Sequence, residues 1–128
     1  MSQEQLSGDA VPMLRLVLLV AAGGALGALL RAAVAAGLPA DPGRLPVGTL
    51  LVNLVGCLAL GVVLSRWRGH RWLEAFLGPG VLGGFTTFST FAVEVDRLLQ
   101  SAPVTALAYV AVSVLGGCAA AALGLRCR

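Results

Sequence analysis

The sequence predicts an all-α membrane protein with four transmembrane helices in a single domain. Of its 128 residues, 58% are hydrophobic and only 12% are charged, and the mean hydropathy is +0.91. Soluble domains usually carry about 25% charged residues. The apolar residues fall into four runs, each close to the roughly 20 residues that cross a hydrocarbon core. A chain of this length is expected to form one domain.

The four predicted helices cover about residues 13–38, 47–65, 72–99 and 104–125. Short loops rich in proline, glycine and charged residues separate them, as is typical of turns. A polar tail, residues 1–12, precedes the first helix, and a basic C-terminus, residues 126–128, follows the last. Because the tail has no basic residue before the apolar run, it does not resemble a cleaved signal peptide.

The third apolar run contains a segment that a lipid-facing helix would not need. Two glycines, three phenylalanines and four hydroxyl side chains follow one another in Gly83-Gly84-Phe85-Thr86-Thr87-Phe88-Ser89-Thr90-Phe91. Each glycine weakens a helix by roughly 1 kcal/mol relative to alanine. Non-helical backbone at membrane depth persists only where protein or a water-filled path surrounds it. We therefore predict a break in the third helix that presents carbonyls, hydroxyls and ring edges to a small polar ligand, as in a channel or transporter.

Other polar side chains lie inside the second and fourth helices. Thr49 and Asn53 are one turn apart, and so are Tyr109 and Ser113. With Thr90 and its neighbouring hydroxyls they form a candidate polar stripe that can replace the water around an ion without adding charge. The amide of Asn53 is a neutral donor suited to an anion, although it can equally serve to bond another helix.

Aromatic and charged residues extend this candidate lining. Phe88 and Phe91 share a helix face, and their positive ring edges suit an anion, although such residues are also ordinary core aromatics. Arg31 is interpreted either as an anchor that reaches the membrane surface or as a charge that draws anions into a vestibule. We expect Glu94 to accept hydrogen bonds from nearby hydroxyls rather than to act in catalysis.

Several classes of function are not supported by the sequence. His70 is the sole histidine, the three cysteines have no metal-ligand spacing, and no phosphate-binding glycine loop with a lysine is present. We therefore predict that the protein is not an enzyme. The net charge of +3 comes from arginines at the segment ends, which indicates membrane anchoring rather than a nucleic-acid partner.

With these residues considered together, the chain resembles the Fluc/CrcB family of fluoride channels. Three segments carry the resemblance, and the third is the most specific: Gly23-Gly24-Ala25-Leu26-Gly27-Ala28-Leu29-Leu30-Arg31, Gly48-Thr49-Leu50-Leu51-Val52-Asn53-Leu54-Val55-Gly56, and Gly83 to Phe91 with Glu94. The resemblance implies an antiparallel, dual-topology-type dimer of four-helix subunits with two fluoride pores along the subunit interface.

The resemblance also implies roles for individual residues. The backbone carbonyls of Gly83 and Thr86 match those that hold a structural sodium ion at the dimer centre. Phe88 and Phe91 match the aromatic pair of the pores, Asn53 the pore asparagine, and Arg31 the arginine of the first helix. Tyr109 and Ser113 keep the spacing of a polar track on the fourth helix, whereas Gly117 departs from it at a position where a further serine can occur.

The implied activity is passive export of fluoride from a bacterial-type cytoplasm across the cell membrane, which protects against fluoride toxicity. Two other functions are open to a small four-helix membrane protein. A small multidrug-type transporter normally needs an acid in its first helix, where this chain has Arg31. A structural or chaperone-like membrane protein that affects chromosome compaction predicts no ion flux and leaves the hydroxyl-rich lining unexplained.

The arginines are distributed unevenly between the two predicted sides of the membrane. One side holds Arg15, Arg66, Arg68, Arg71, Arg126 and Arg128, and the other holds Arg44 and Arg97, with Arg31 near that side. Such a bias favours both termini in the cytoplasm. The partner in the dimer is therefore expected to be either a second copy of this chain or an oppositely oriented paralogue.

Overall fold

The structure is a computed structural model that describes residues 3–127, with side chains from residue 12 onward. None of the described residues lies in a β-strand. Four helical segments are long and apolar enough to cross a membrane, namely Pro12–Gly37, Val47–Arg66, Arg71–Ser101 and Pro103–Arg126. The all-α fold with four membrane-spanning segments is thereby confirmed.

The helix bounds differ from the predicted ones mainly at the N-terminus. Helix α1 (Gln3–Gly37) begins within the predicted polar tail, so the described part of that tail continues the helix. Helix α2 (Val47–Arg66) and helix α6 (Pro103–Arg126) end within a residue or so of the predicted bounds. Residues 1, 2 and 128 lie outside the described residues.

The third segment, Arg71–Ser101, is not a regular α-helix. It consists of α3 (Arg71–Ala75), a π-helical stretch (Phe76–Leu82), α4 (Gly83–Phe85) and α5 (Ser89–Ser101). Residues 86–88 form a bend between α4 and α5, at which Thr86 takes an extended conformation with φ −75° and ψ 159°. The bend lies within the glycine- and threonine-rich run where the sequence predicts a break.

Glycines allow the helices to approach closely in two pairs. Helix α2 packs along α6, where a Cβ atom on Gly61 or Gly124 would overlap the backbone of the other helix. Helix α1 packs against the π-helical stretch and α4, where a Cβ atom on Gly27 would overlap the carbonyl of Val81. Close packing of this kind is how membrane helices associate, because water exclusion does not drive them together.

The buried core is small and lies where α5 and α6 meet. Leu98, Ala106 and Tyr109 are buried there, and Phe91 packs against them. Many large apolar side chains are instead exposed, including Leu29 at 69% and Leu115 at 70%. An apolar surface of this extent suits lipid or another membrane chain rather than water. The core therefore fixes the relation of the bend to α6 and leaves the outer faces free.

Candidate functional site

Asn53 connects α2 to the bend through two hydrogen bonds with one residue. The backbone N–H of Thr87 donates to Asn53 Oδ1 at 2.9 Å, and Asn53 Nδ2 donates to the carbonyl oxygen of Thr87 at 3.0 Å. The side-chain amide thus replaces the helical partners that the bend removes. An asparagine NH₂ group carries two hydrogens, and this pairing uses one of them. The second N–H belongs to a side chain that lines an open groove.

The bend also leaves two carbonyl oxygens without their usual helical donors. In an α-helix, the N–H of residue i+4 bonds the carbonyl of residue i. The N–H of Thr87, which would bond the Gly83 carbonyl, donates to Asn53 instead. The N–H of Thr90, which would bond the Thr86 carbonyl, donates to Thr87 Oγ1 at 3.2 Å. These are the two carbonyls for which the sequence resemblance implies a sodium ion.

These carbonyl oxygens are candidate ligands for a metal ion. Among the described residues, no group of three histidine, cysteine or carboxylate side chains is close enough to form a metal site. Backbone carbonyls freed by an unwound segment are a known way for membrane proteins to coordinate Na⁺. Gly83 is exposed and Thr86 is half-buried, and both line one cavity.

The first open groove combines donors with aromatic rings. It has a volume of about 280 Å³ and is lined by Asn53, Thr86, Thr87, Phe88, Phe91, Ser113 and Val114. The rings of Phe88 and Phe91 lie 5.9 Å apart between centroids with an interplanar angle of 41°, and Phe91 lies 5.1 Å from Tyr109. Phe88 is 80% exposed, so its ring forms the open wall of this groove.

A second cavity lies on the other side of Thr87. Its volume is about 330 Å³, and its polar lining consists of Arg31, Thr49, Thr87, Thr90 and Glu94. Arg31 Nε donates to the carbonyl oxygen of Gly84 at 3.1 Å, which holds the guanidinium of α1 beside α4. Among the described residues, no carboxylate forms an ion pair with Arg31. The cavity therefore contains both the positive charge of Arg31 and the carboxylate of Glu94, which do not form an ion pair with each other.

Glu94 joins α2, α5 and α6 through its two carboxylate oxygens. Thr49 Oγ1 donates to Oε1 at 2.8 Å, and the Tyr109 hydroxyl donates to Oε2 at 2.7 Å. Tyr109 is fully buried at 0% exposure. Since each hydroxyl has a single hydrogen, both of these donors are directed at Glu94 and not at an open cavity. Glu94 is therefore a hydrogen-bonded carboxylate at the junction of three helices.

The structure brings the candidate residues together in two groups around the bend. Asn53, Phe88, Phe91 and Ser113 line the first groove, while Arg31, Thr49, Thr90 and Glu94 line the second cavity. Gly83 lies apart from both groups. It lines a third, largely apolar cavity of about 240 Å³ together with Thr86, Gly56, Cys57 and neighbouring residues of α2 and the π-helical stretch.

Two positions gained importance only from the structure. The sequence placed Thr87 in the predicted hydroxyl stripe. In the structure its backbone N–H and carbonyl, rather than its hydroxyl, form the two hydrogen bonds with Asn53. Gly84 supplies the carbonyl that receives Arg31. The sequence indicated these positions only by placing them in a run that interrupts helical hydrogen bonding. Such an interruption leaves backbone groups free to bond side chains. The sequence does not state which side chain bonds them.

Comparison with known proteins identifies the family. The sequence profile of the CrcB-like protein, Camphor Resistance (CrcB) family matches residues 18–125. The chain belongs to the CrcB family. The matched range contains the four membrane-spanning segments apart from residues 12–17 of the first and Arg126 of the last, and it contains every candidate site residue. The resemblance found in the sequence is thereby confirmed.

Individual CrcB relatives share nearly half of their residues with this chain. A protein of Nocardia farcinica named fluoride-specific ion channel FluC 2 is 45% identical over 114 residues, which cover 85% of this chain and 81% of that protein. A protein of Pseudomonas fluorescens named fluoride-specific ion channel FluC is 44% identical, and the alignment covers 88% of this chain and 96% of that protein. A protein of the same name from Paracoccus denitrificans is 47% identical, and the alignment covers 83% of this chain and 88% of that protein. The alignments therefore span most of both chains.

Proposed function

We propose that this CrcB chain forms a fluoride-specific ion channel. The observation that carries the proposal is the open groove lined by Asn53, Phe88, Phe91 and Ser113, which offers N–H, O–H and ring-edge donors. None of these four side chains carries a fixed charge. Such a lining can bind an anion and still release it, which conduction requires. The names of the relatives, fluoride-specific ion channels, support fluoride as the ion.

Arg31 attracts the ion to the cavity beside the groove. Its guanidinium keeps donors free after the bond to Gly84, since arginine has five N–H groups. A positive charge in a cleft with apolar walls raises the local anion concentration. Thr90 and Thr87 line the same cavity and pass the ion towards Asn53. In this proposal the attraction of Arg31 has to exceed the repulsion by Glu94 in the same cavity, and the neighbouring groove then offers uncharged donors.

Inside the groove, the donors replace part of the hydration of the ion. Fluoride is small and strongly hydrated, so the lining must compensate a large desolvation cost. The remaining N–H of Asn53 and the hydroxyl of Ser113 supply hydrogen bonds, and the edges of Phe88 and Phe91 supply partial positive charge. Tyr109 and Thr49 extend the polar track, and their bonds to Glu94 hold the track in place until an ion competes for their hydrogens.

The pore is completed by a second chain. Phe88 is 80% exposed in the single chain, and the hydroxyls of Ser89 and Thr90 beside it are exposed as well. In an antiparallel dimer, a two-fold axis in the membrane plane would cover this face and close one groove on each side. The partner is a second copy of this chain or an oppositely oriented paralogue, and fluoride passes along the subunit interface.

A structural sodium ion occupies the dimer centre in this proposal. The carbonyls of Gly83 and Thr86 from two chains supply four oxygen ligands, and the bend that frees them acts as the break predicted from the sequence. Sodium bound to both chains stabilises the pair, and it is not transported. The two fluoride pores lie to either side of it.

The channel works in the bacterial-type cell membrane as a passive exporter. Fluoride enters a cell as neutral HF, ionises near neutral pH and accumulates unless an exit exists. The outward gradient then drives the anion through the pore without an energy source. Removal of cytoplasmic fluoride protects the cell against its toxicity.

The arginine bias makes a prediction about orientation. Because Arg66, Arg68 and Arg71 share a side with Arg15 and the C-terminus, we expect both termini in the cytoplasm and pairing with an oppositely oriented paralogue. When intact cells are treated from outside with a membrane-impermeant reagent, a C-terminal tag on this chain is expected to stay unlabelled. Equal labelling from both sides would instead support a dual-topology homodimer.

Fluoride efflux from liposomes tests the proposed function. The purified chain, reconstituted with and without a candidate paralogue, is expected to release fluoride rapidly and to retain chloride in the same vesicles. Flux only in the mixed sample would identify a heterodimer. Absence of fluoride flux from both samples, with the protein folded and inserted, would refute the proposal.

A further inference from the structure

A basic groove lies at one membrane boundary, between α1 and α3. It has a volume of about 490 Å³ and is lined by Arg15, Leu18, Leu19 and Trp72. Arg15 is near the start of the span Pro12–Gly37, and Trp72 is the second residue of the span Arg71–Ser101. The groove is therefore level with one membrane surface, and it shares no residue with the polar groove or cavity around the bend.

Two arginines give this groove its charge. Arg15 lines it directly, whereas Arg71 is not part of the lining and adjoins it through Trp72, whose ring centroid lies 5.5 Å from the Arg71 guanidinium. Within residues 12–127, neither arginine forms an ion pair, although Glu74 is half-buried one turn beyond Arg71. Arg15 and Arg71 are both exposed residues. The groove thus combines positive charge with an apolar floor.

We propose that this groove binds an anionic phospholipid, with its headgroup phosphate between Arg15 and Arg71 and an acyl chain along Leu18. A guanidinium matches phosphate oxygens with paired N–H donors. Tryptophan is enriched at the membrane–water interface, where its ring sits beside headgroups. Leu18 is 59% exposed and Trp72 is 41% exposed, so an apolar chain can reach both.

The charge of the site determines the lipid class. A zwitterionic headgroup carries its own cation, which two arginines repel, whereas phosphatidylglycerol carries a net negative charge. Lipid binding at this groove requires only that the chain is inserted in a membrane, so it does not depend on fluoride conduction.

Quenching of Trp72 fluorescence tests the proposal. The chain has two tryptophans, so a Trp67→Phe variant makes Trp72 the single reporter. The folded protein is reconstituted in vesicles that contain either phosphatidylglycerol or phosphatidylcholine with brominated acyl chains. Brominated phosphatidylglycerol is expected to quench at a lower mole fraction. About 1 kcal/mol for each arginine near anionic lipid corresponds to a preference of roughly five-fold per arginine.

Matched variants separate a local site from general surface charge. Arg15→Gln and Arg71→Gln are each expected to lower the preference about five-fold, and Arg15→Lys to retain most of it. Arg68→Gln, an equal charge change on the same side at a residue that neither lines the groove nor stacks on Trp72, is expected to leave the preference unchanged. Equal quenching by both lipids, an equal loss in Arg68→Gln, or no quenching because a second chain covers Trp72 would overturn the proposal.

Discussion

Asn53 is the side chain on which the geometry of the bend depends most directly. Its carboxamide accepts from and donates to the backbone of Thr87, as a neighbouring peptide group would. An unpaired backbone group away from water costs about 1–3 kcal/mol, so the bend persists because Asn53 satisfies both groups at once. In the proposed channel the remaining N–H of Asn53 binds the ion, which would link stability and conduction at one residue.

Replacement of Asn53 tests this dual role. Asn53→Leu keeps the side-chain size but removes both hydrogen bonds, so we expect the free energy of unfolding to fall by about 1–3 kcal/mol and fluoride flux to be lost. Ser113→Ala removes a groove hydroxyl for which the described residues provide no partner. It is expected to reduce flux with little change in the free energy of unfolding. Both quantities are measured on purified protein, in detergent and in liposomes.

If Asn53→Leu had the same free energy of unfolding as the wild type, the Asn53–Thr87 hydrogen bonds would contribute nothing to stability. The sequence indicated that Asn53 needs a partner, because an unsatisfied polar group in lipid is costly, and that Glu94 accepts hydrogen bonds from nearby hydroxyls. It could not indicate the partners themselves. The Thr49–Glu94 and Asn53–Thr87 pairs join residues 45 and 34 positions apart, and only the packing of the helices decides such contacts.

At the scale of the elements, the third segment owes its shape to its neighbours. Glycine and threonine weaken helical bonding near residue 86, and the sequence reveals this. The π-helical stretch Phe76–Leu82 was not foreseen, because proline and glycine indicate irregularity without specifying its type. Its backbone lies directly against α1, where Gly23 and Gly27 leave room for it. The π-helical stretch therefore depends on packing against the glycines of α1.

Gly27 and Gly24 provide a matched pair of tests of this packing. A Cβ atom on Gly27 would overlap the Val81 carbonyl, so Gly27→Ala is expected to destabilise the fold by about 1–3 kcal/mol, as overpacking does. On Gly24 the closest atom, the Gly80 carbonyl oxygen, is 3.9 Å away. Gly24→Ala is therefore expected to be neutral or stabilising, given the helix propensity of alanine. Chemical denaturation in detergent measures both; equal effects would contradict the packing described.

Sodium removal tests the proposed role of the freed carbonyls. If Gly83 and Thr86 of two chains hold the ion, the unfolding temperature should rise with sodium concentration, because a ligand that binds only the folded state stabilises it. Replacement of sodium by the large cation N-methylglucamine at equal ionic strength is expected to lower the unfolding temperature. An unfolding temperature that is the same in both salts would exclude sodium as a structural ligand.

At the scale of the whole molecule, a single chain is incomplete on the face that carries Phe88. A ring that is 80% exposed beside a polar groove gains little from the fold of its own chain. The four membrane-spanning segments could be predicted from hydropathy, since the bilayer fixes their length. The partner in the proposed dimer could not be predicted, because neither the sequence nor one chain contains the second wall of the proposed pore. The arginine bias indicates only how this chain is oriented.

Fluoride and chloride efflux from liposomes with Phe88→Ile tests the central claim most directly. Phe88 packs little within its own chain, so the variant is expected to fold, and loss of the ring edge should abolish fluoride flux. Phe76→Ile, in the π-helical stretch and outside the two polar cavities, serves as the control and should keep the flux. The account predicts fluoride release by the wild type and Phe76→Ile alone, with chloride retained throughout. Undiminished fluoride release by Phe88→Ile would contradict a pathway through this groove.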